Sequence, residues 1–262
     1  MLRYCYIVAE GHQDIEFLIR LFKFDGLKRV TRLSLVDRFW HPLIPRDFPI
    51  DDDLTKRVPV PVFLQNAELS IAFHSAGGIK RLSETIEESF TLIPISQVCG
   101  IGVVLDADDI QPPQKRFEEL TTELLPKLSS LGLSFPSALG EVTKDLTRCG
   151  IFIMPNNIDP GTLEDVLLEC AQVNYPELFH LSKNYVGSLE NLDKNQLTQS
   201  DLQEISKPAG KNKAIVSGIS SILKPGKSLQ VSIQDNRWID EKTIVLGSIK
   251  RVKTFLAEII GF

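Results

Sequence analysis

The sequence predicts an α/β fold built on a parallel sheet. Three observations lead there. Four short apolar segments are each followed by a stretch with helical periodicity. These segments are continuously apolar rather than alternating, as strands buried on both faces are. A chain of 262 residues, 43% of them apolar, is long enough to cover such a sheet with helices.

The elements follow in order. Tyr4–Ala9 is aromatic and β-branched and reads as the first strand. After Glu10-Gly11 comes a helix with Ile15, Leu18, Ile19 and Phe22 on one face. Leu69–Phe73 is the second strand, followed by Gly77-Gly78 and a helix carrying Ile79, Leu82, Ile86 and Phe90. Ile101–Leu105 is the third, followed by Asp106-Ala107-Asp108-Asp109 and a helix with Phe117, Leu120, Leu124 and Leu128. Ile151–Met154 is the fourth. A Pro/Asn/Gly loop leads from it to a helix starting near Thr162, with Leu163, Val166, Leu167 and Cys170. Two further helical patterns close the chain, over Lys213–Leu223 and Thr243–Ile260. The second places Val245, Ile249, Val252, Phe255 and Ile259 on one face.

Two stretches interrupt the alternation. Residues 32–68 hold five of the fifteen prolines and the run Asp51-Asp52-Asp53. This is too long for an ordinary connection and reads as an insertion, with a lid over the sheet edge or a packed excursion as its two roles. Residues 181–210 are polar and read as a connecting segment.

Charged residues are 24% and the formal net charge is −5, which argues against a wholly basic nucleic-acid binder but leaves room for a local basic patch. No apolar run reaches the ~18–20 residues of a membrane span, and the N-terminus shows no secretory pattern. The four cysteines are scattered without CxxC spacing, as reduced core thiols of a cytoplasmic protein are.

Ligands of open parallel sheets sit at the carboxyl ends of the strands. There the sequence concentrates acid. Glu10 follows the first strand and Asp14 lies in the next helical turn. Asp106 and Asp108 follow the third, and their i, i+2 spacing in extended chain aims both the same way. Glu164 and Asp165 open the helix after the fourth. Crowded carboxylates repel unless neutralised, so loss of one is expected to raise metal-free stability. A divalent cation neutralises them, and Mg²⁺ uses one or two carboxylates plus water. Such a site suits phosphoryl transfer or phosphodiester cleavage. The competing explanation is structural. Acids favour helix amino ends, and Thr162 with Asp165 has capping-box spacing. Lys207, Lys211 and Lys213 form a basic cluster in which Lys211 and Lys213 are candidate phosphate ligands, and the alternative is a solvated loop.

Other motifs fail. Pro225–Ser228 ends like a phosphate-binding loop, but Ser221 stands where the first glycine belongs. There is no HExxH or GxSxG, and His12, His41, His74 and His180 have no spacing partner. A phosphorylated receiver domain needs an acidic pair after the first strand, which Glu10-Gly11 fits poorly.

Taken together, YIVAEGHQDIEFL, HSAGGIKRL and GIGVVLDADD resemble the Toprim (topoisomerase–primase) superfamily. IFIMPNNIDPGTLEDVLLE is similar to the corresponding part of the Toprim nucleases related to overcoming-lysogenization-defect proteins, and more so to stand-alone Toprim-like proteins. The resemblance covers residues 3–172. It implies one Toprim-like domain over 1–262, with core 3–31 and 69–175, insertion 32–68 and a helical extension 176–262. It makes Glu10 a metal ligand or general base and Asp106 and Asp108 metal ligands. Through the nuclease branch it adds Asp14 and Glu164 as ligands, with Glu164 also a candidate base. The expected cofactor is Mg²⁺, with Mn²⁺ as an alternative. The expected activity is a small nuclease acting on DNA or RNA. A non-catalytic metal- and phosphate-binding module serving a protein partner, or a degenerate scaffold, is the alternative, and a homo-oligomer is also expected as an option. The chain lacks the ATPase, tyrosine and zinc-binding parts on which other Toprim activities depend.

Overall fold

The computed structural model describes residues 2–47, 60–108, 112–191 and 197–261. The strands are β1 (Arg3–Ala9), β2 (Lys28–Val30), β3 (Val62–Gln65), β4 (Leu69–Ser75), β5 (Val98–Asp106) and β6 (Arg148–Met154). The helices are α1 (His12–Leu21), α2 (Leu82–Leu92), α3 (Pro113–Ser130), α4 (Leu163–Asn174), α5 (Pro176–Gly187), α6 (Gln199–Leu202), α7 (Gly210–Leu223), α8 (Leu229–Asp235) and α9 (Gly247–Ile260). The fold is α/β, as expected. Among the described residues the strands form one sheet in the order β2-β3-β4-β1-β5-β6.

The four anticipated strands are β1, β4, β5 and β6, which are neighbours in this order, with β6 at one edge. β1 runs parallel to β4 on one side and to β5 on the other. Cys5–Ala9 of β1 and all of β4 are buried, which accounts for their continuously apolar character. The sheet is mixed rather than all parallel, because β3 joins β4 and β2 joins β3 antiparallel.

The chain divides into two compact units, one of Met1–Leu105, Phe117–Phe152 and Lys253–Phe262, the other of Asp106–Arg116 and Ile153–Val252. In the first, α1 packs on β1 and β4, and α2 on β1. The carboxyl-terminal turns of α9 lie directly on β5. A Cβ at Gly100 would fall 2.1 Å from the Ile259 carbonyl oxygen, so only glycine admits the helix there.

The insertion is a packed excursion over its described part. Trp40 is fully buried and its indole N–H donates to Ser70 Oγ at 2.9 Å. Tyr4 stacks on Phe39 with ring centroids 4.0 Å apart. Phe63 and Leu64 enter the core from β3. Asp51–Asp53, on which the lid idea leaned, lie outside the described residues, as does Phe48.

In the second unit, α5 occupies the start of the stretch expected to be a connection, and α4, α5 and α7 pack on one another. Trp238, fully buried, donates its indole N–H to Ser232 Oγ at 2.9 Å, and its ring meets Tyr175 edge-on. Val245 was expected on the apolar face of the last helix. That helix begins at Gly247, and Val245 is exposed ahead of it.

Candidate functional site

Glu10 and Asp14 belong to the first unit. The strand exits are tied by backbone there: Ala76 N–H donates to the Ala9 carbonyl at 2.9 Å and Gly78 N–H to the Glu10 carbonyl at 3.0 Å. This places the glycine pair after β4 against the Glu10-Gly11 turn after β1. The Glu10 residue itself is half-buried. Asp14 is buried, and its Oδ2 accepts from Gly11 N–H at 2.8 Å, so it closes the amino end of α1. His74, near the end of β4, is also buried. Tyr6 Oη lies 2.8 Å from His74 Nδ1 and 2.8 Å from Ser89 Oγ. Burial pushes the Tyr6 phenol above its ordinary value, so it stays a neutral partner in this network.

Asp106, Asp108 and Glu164 fall together in the second unit. Asp106 is the last residue of β5, and its Oδ1 accepts from the Leu163 backbone N–H at 2.9 Å. It therefore serves one of the orphan donors at the amino end of α4, beside that helix's own cap. The cap is a reciprocal one at Thr162, where Asp165 Oδ2 accepts from Thr162 N–H at 2.8 Å. Asn212 Nδ2, from α7, donates to the other Asp165 oxygen at 2.8 Å. The structural explanation thus accounts for Asp165 in full.

Asp108 departs from the extended geometry that would align it with Asp106. Its φ is 61°, in the left-handed region that aspartate enters more readily than most residues. An isolated antiparallel bridge to Gly161 holds it there, with Gly161 N–H donating to the Asp108 carbonyl at 3.3 Å. The Asp108 carboxylate is ion-paired with Arg116 from the first turn of α3. Glu164 is 5% exposed, and its Oε2 is buried without a hydrogen-bond partner. Such an atom carries a desolvation cost of ~1–3 kcal/mol or more.

Of the basic candidates, Lys211 pairs with Glu190 at 2.9 Å on the surface, and Lys213 is exposed on α7. Exposed pairs are weak, so Lys211 is readily diverted. Arg116 and Asn212 are the site residues that sequence reasoning missed. A signal for Arg116 exists: a cation in the first turn of a helix opposes the macrodipole and calls for a local anion.

Among the described residues no three His, Cys, Asp or Glu side chains are grouped to hold a metal ion. A rigid zinc- or calcium-type cage needs such a group. Hydrated Mg²⁺ does not, since it keeps several waters and takes one or two carboxylates. Asp106, Asp108 and the orphaned Glu164 oxygen lie in the same unit, and one or two of them could serve such an ion.

A family model described as a protein of unknown function, DUF3226, matches residues 5–260. No curated protein matches the chain. Among solved structures the chain is similar to hypothetical protein PH0156 from Pyrococcus horikoshii OT3. That likeness has 19% identity, covers 98% of this chain and 95% of that one, and has a TM-score of 0.49.

Proposed function

The chain belongs to the DUF3226 family, and on that premise we propose that it is a Mg²⁺-dependent enzyme of phosphodiester hydrolysis or phosphoryl transfer, most simply a small nuclease acting on DNA or RNA. Mn²⁺ is the alternative ion. The observation that carries the reading is the buried, unpartnered Oε2 of Glu164 in the same compact unit as Asp106 and Asp108. A cation nearby would offset the desolvation of that oxygen and the mutual repulsion of the acids.

Each residue has a definite part. Asp108 offers an exposed carboxylate on a backbone fixed by the Gly161 bridge. Asp106 brings a carboxylate at the end of β5 whose Oδ1 is oriented by the Leu163 N–H. A bound divalent ion would polarise the phosphate and lower the pKa of a coordinated water. Lys211 and Lys213 supply positive charge for the phosphate backbone, which makes binding salt-sensitive. Glu10 lies in the other unit and takes the role of base or ligand from the Toprim resemblance alone. Asp14, as the cap of α1, is left a structural role. The cysteines are all unpaired thiols, and no helix among the described residues is long and apolar enough to cross a membrane. Free thiols suit a reducing compartment, so we place the activity in the cytoplasm.

A non-catalytic module that binds metal and phosphate for a protein partner, or a second copy, is the other reading. It is favoured by Asp106 and Asp108 already having partners within the chain. One experiment separates the two. Purified protein with Mn²⁺ is tested on single- and double-stranded DNA and RNA, beside Glu10→Gln and Asp108→Asn. The enzyme reading expects cutting by the wild type, binding without cutting by Glu10→Gln, and neither metal response nor cutting by Asp108→Asn. Equal binding by wild type and Glu10→Gln with no cutting of any substrate selects the module. No metal response at all overturns both.

A further inference from the structure

The first compact unit holds a cavity of about 510 Å³, a size within the ~300–1,000 Å³ of small-molecule sites. Among the described residues it is lined by Val142, Thr143, Lys144, Arg148, Glu258 and Gly261. Its walls are fastened to the fold. Thr143 Oγ1 accepts from Cys149 N–H at 2.8 Å, and Thr143 N–H donates to the Cys149 carbonyl at 2.9 Å, which ties the stretch 142–144 to β6. Gly261 follows α9 at φ 80°, and a Cβ there would overlap Arg148 Nη1. The half-buried guanidinium therefore rests on bare backbone. A cation at the carboxyl end of a helix is favourable by itself. Arg3 already takes that part, donating from Nη1 to the Ile260 carbonyl at 3.0 Å. Arg3 opens β1, so the cavity lies by the end of that strand opposite Glu10. None of the ion pairs among the described residues involves Lys144, Arg148 or Glu258. The positive field there is felt by a neighbour: burial raises the Cys99 thiol above its ordinary value, and Arg3 and then Arg148 pull it back.

We infer that this cavity binds a free ribonucleoside 5′-monophosphate, with the phosphate on Arg148 and Lys144 and the ribose hydroxyls on Glu258. The site stands apart from the metal reading above and needs none of its carboxylates. Three features select the ligand. A phosphate monoester carries close to two negative charges at neutral pH and so matches the two cations of the lining. Its oxygens fit the planar fork of arginine in a bidentate way, while lysine serves it as a point charge. Glu258 sets the remaining condition. A bare anion would leave that carboxylate facing only negative charge, whereas a ribose offers it hydroxyl donors, as acidic residues of dinucleotide sites accept from the ribose 2′-hydroxyl. Val142 and Gly261 add apolar wall, against which the face of a base can lie.

The test is isothermal titration calorimetry of the full chain at low salt in EDTA, which withholds metal and so keeps this result separate from the metal reading. The probes are adenosine 5′-monophosphate, its 2′-deoxy form and inorganic phosphate. Wild type is expected to bind the ribonucleotide in the submillimolar range, and the other two several-fold more weakly. Arg148→Gln is expected to weaken ribonucleotide binding about tenfold, as loss of a bidentate charge-assisted contact does. Lys144→Ala, a change at an exposed position, is expected to weaken it less. Glu258→Ala is expected to bring the ribonucleotide down to the affinity of the deoxy form. If Arg148→Gln does not fold, judged by circular dichroism, Lys144→Ala and Glu258→Ala carry the comparison. No binding of the ribonucleotide by wild type at millimolar concentration overturns the inference. Undiminished binding in the lining variants overturns it too, and so does equal wild-type affinity for the ribo and deoxy forms.

Discussion

Asp106→Asn separates two accounts of the acid at the end of β5. Read from the sequence as one of several crowded carboxylates, Asp106 should destabilise the metal-free protein, and its neutralisation should raise the melting temperature. The geometry gives the opposite sign. Asp106 Oδ1 accepts from Leu163 N–H at 2.9 Å at the amino end of α4. Asparagine can still accept that bond, so the loss is the difference between a charge-assisted and a neutral one, about 1 kcal/mol. Removing the negative charge from the helix terminus costs a further ~0.3–1 kcal/mol. The sum is ~1–2 kcal/mol, or roughly 2–8 °C for a chain of this size. The assay is calorimetric melting in EDTA at neutral pH, beside Asp106→Ala. Alanine also leaves Leu163 N–H without its acceptor and should melt lower still. With millimolar Mg²⁺ the gap to wild type should widen, because a ligand at about a hundred times its Kd adds ~2.7 kcal/mol to the form that binds it. A metal-free Asp106→Asn that melts at or above the wild-type temperature refutes the capping argument and restores the repulsion account.

Other perturbations have equally definite signs. Gly161→Ala should lower the urea midpoint by the equivalent of ~1–3 kcal/mol, because its φ of 142° disfavours any side chain and the new Cβ would lie 2.7 Å from Asp165 Oδ2; an unchanged midpoint would mean that the Asp108 bridge is not held from this side. Trp40→Phe should cost ~2–4 kcal/mol through a cavity and the loss of the indole N–H bond to Ser70, read by urea unfolding, whereas a cost below ~0.5 kcal/mol would show that the excursion is only loosely attached. Burial pushes the Cys149 and Cys170 thiols from 9.0 up to about 12, so both should resist a thiol reagent at mildly alkaline pH in the native state and react only after unfolding, with Cys99 reacting first. By the same linkage their contribution to stability is complete below pH 9 and is lost as pH rises towards 12, so alkaline melting temperatures should fall across that window.

How far the sequence reaches depends on which physical signal a residue carries. β1, β4, β5 and β6 are legible because each must be apolar along its length, and Cys5–Ala9 or Ile151–Met154 could hardly be anything but buried. The antiparallel edge is not legible. Lys28-Arg29-Val30 has one dry neighbour and no apolar run, and its identity as β2 comes from pairing with β3. α5 is hidden for a related reason: its buried residues are Ser182 and Val186, too few to mark a stripe. At the site, helix-end chemistry could be read for Asp165 and Thr162 from spacing alone. The burial of Glu164 could not, since exposed and buried glutamates look alike in a string of letters. Nor could the meeting of Arg116 with Asp108, eight residues away on another element.

The antiparallel pairing of β2 with β3 also governs how the insertion can vary. Val30 faces Phe63 across that ladder, so the excursion leaves and rejoins the sheet at neighbouring positions, ~4.5–5.5 Å apart. Its two ends are fastened together whatever lies between them, as the handles of a purse are. Lengthening such a closed excursion is thermodynamically mild, since doubling a flexible loop costs only ~0.6 kcal/mol. Variation in this excursion is therefore expected to leave the sheet edge intact, with the buried Trp40 and Phe63 anchoring its described parts.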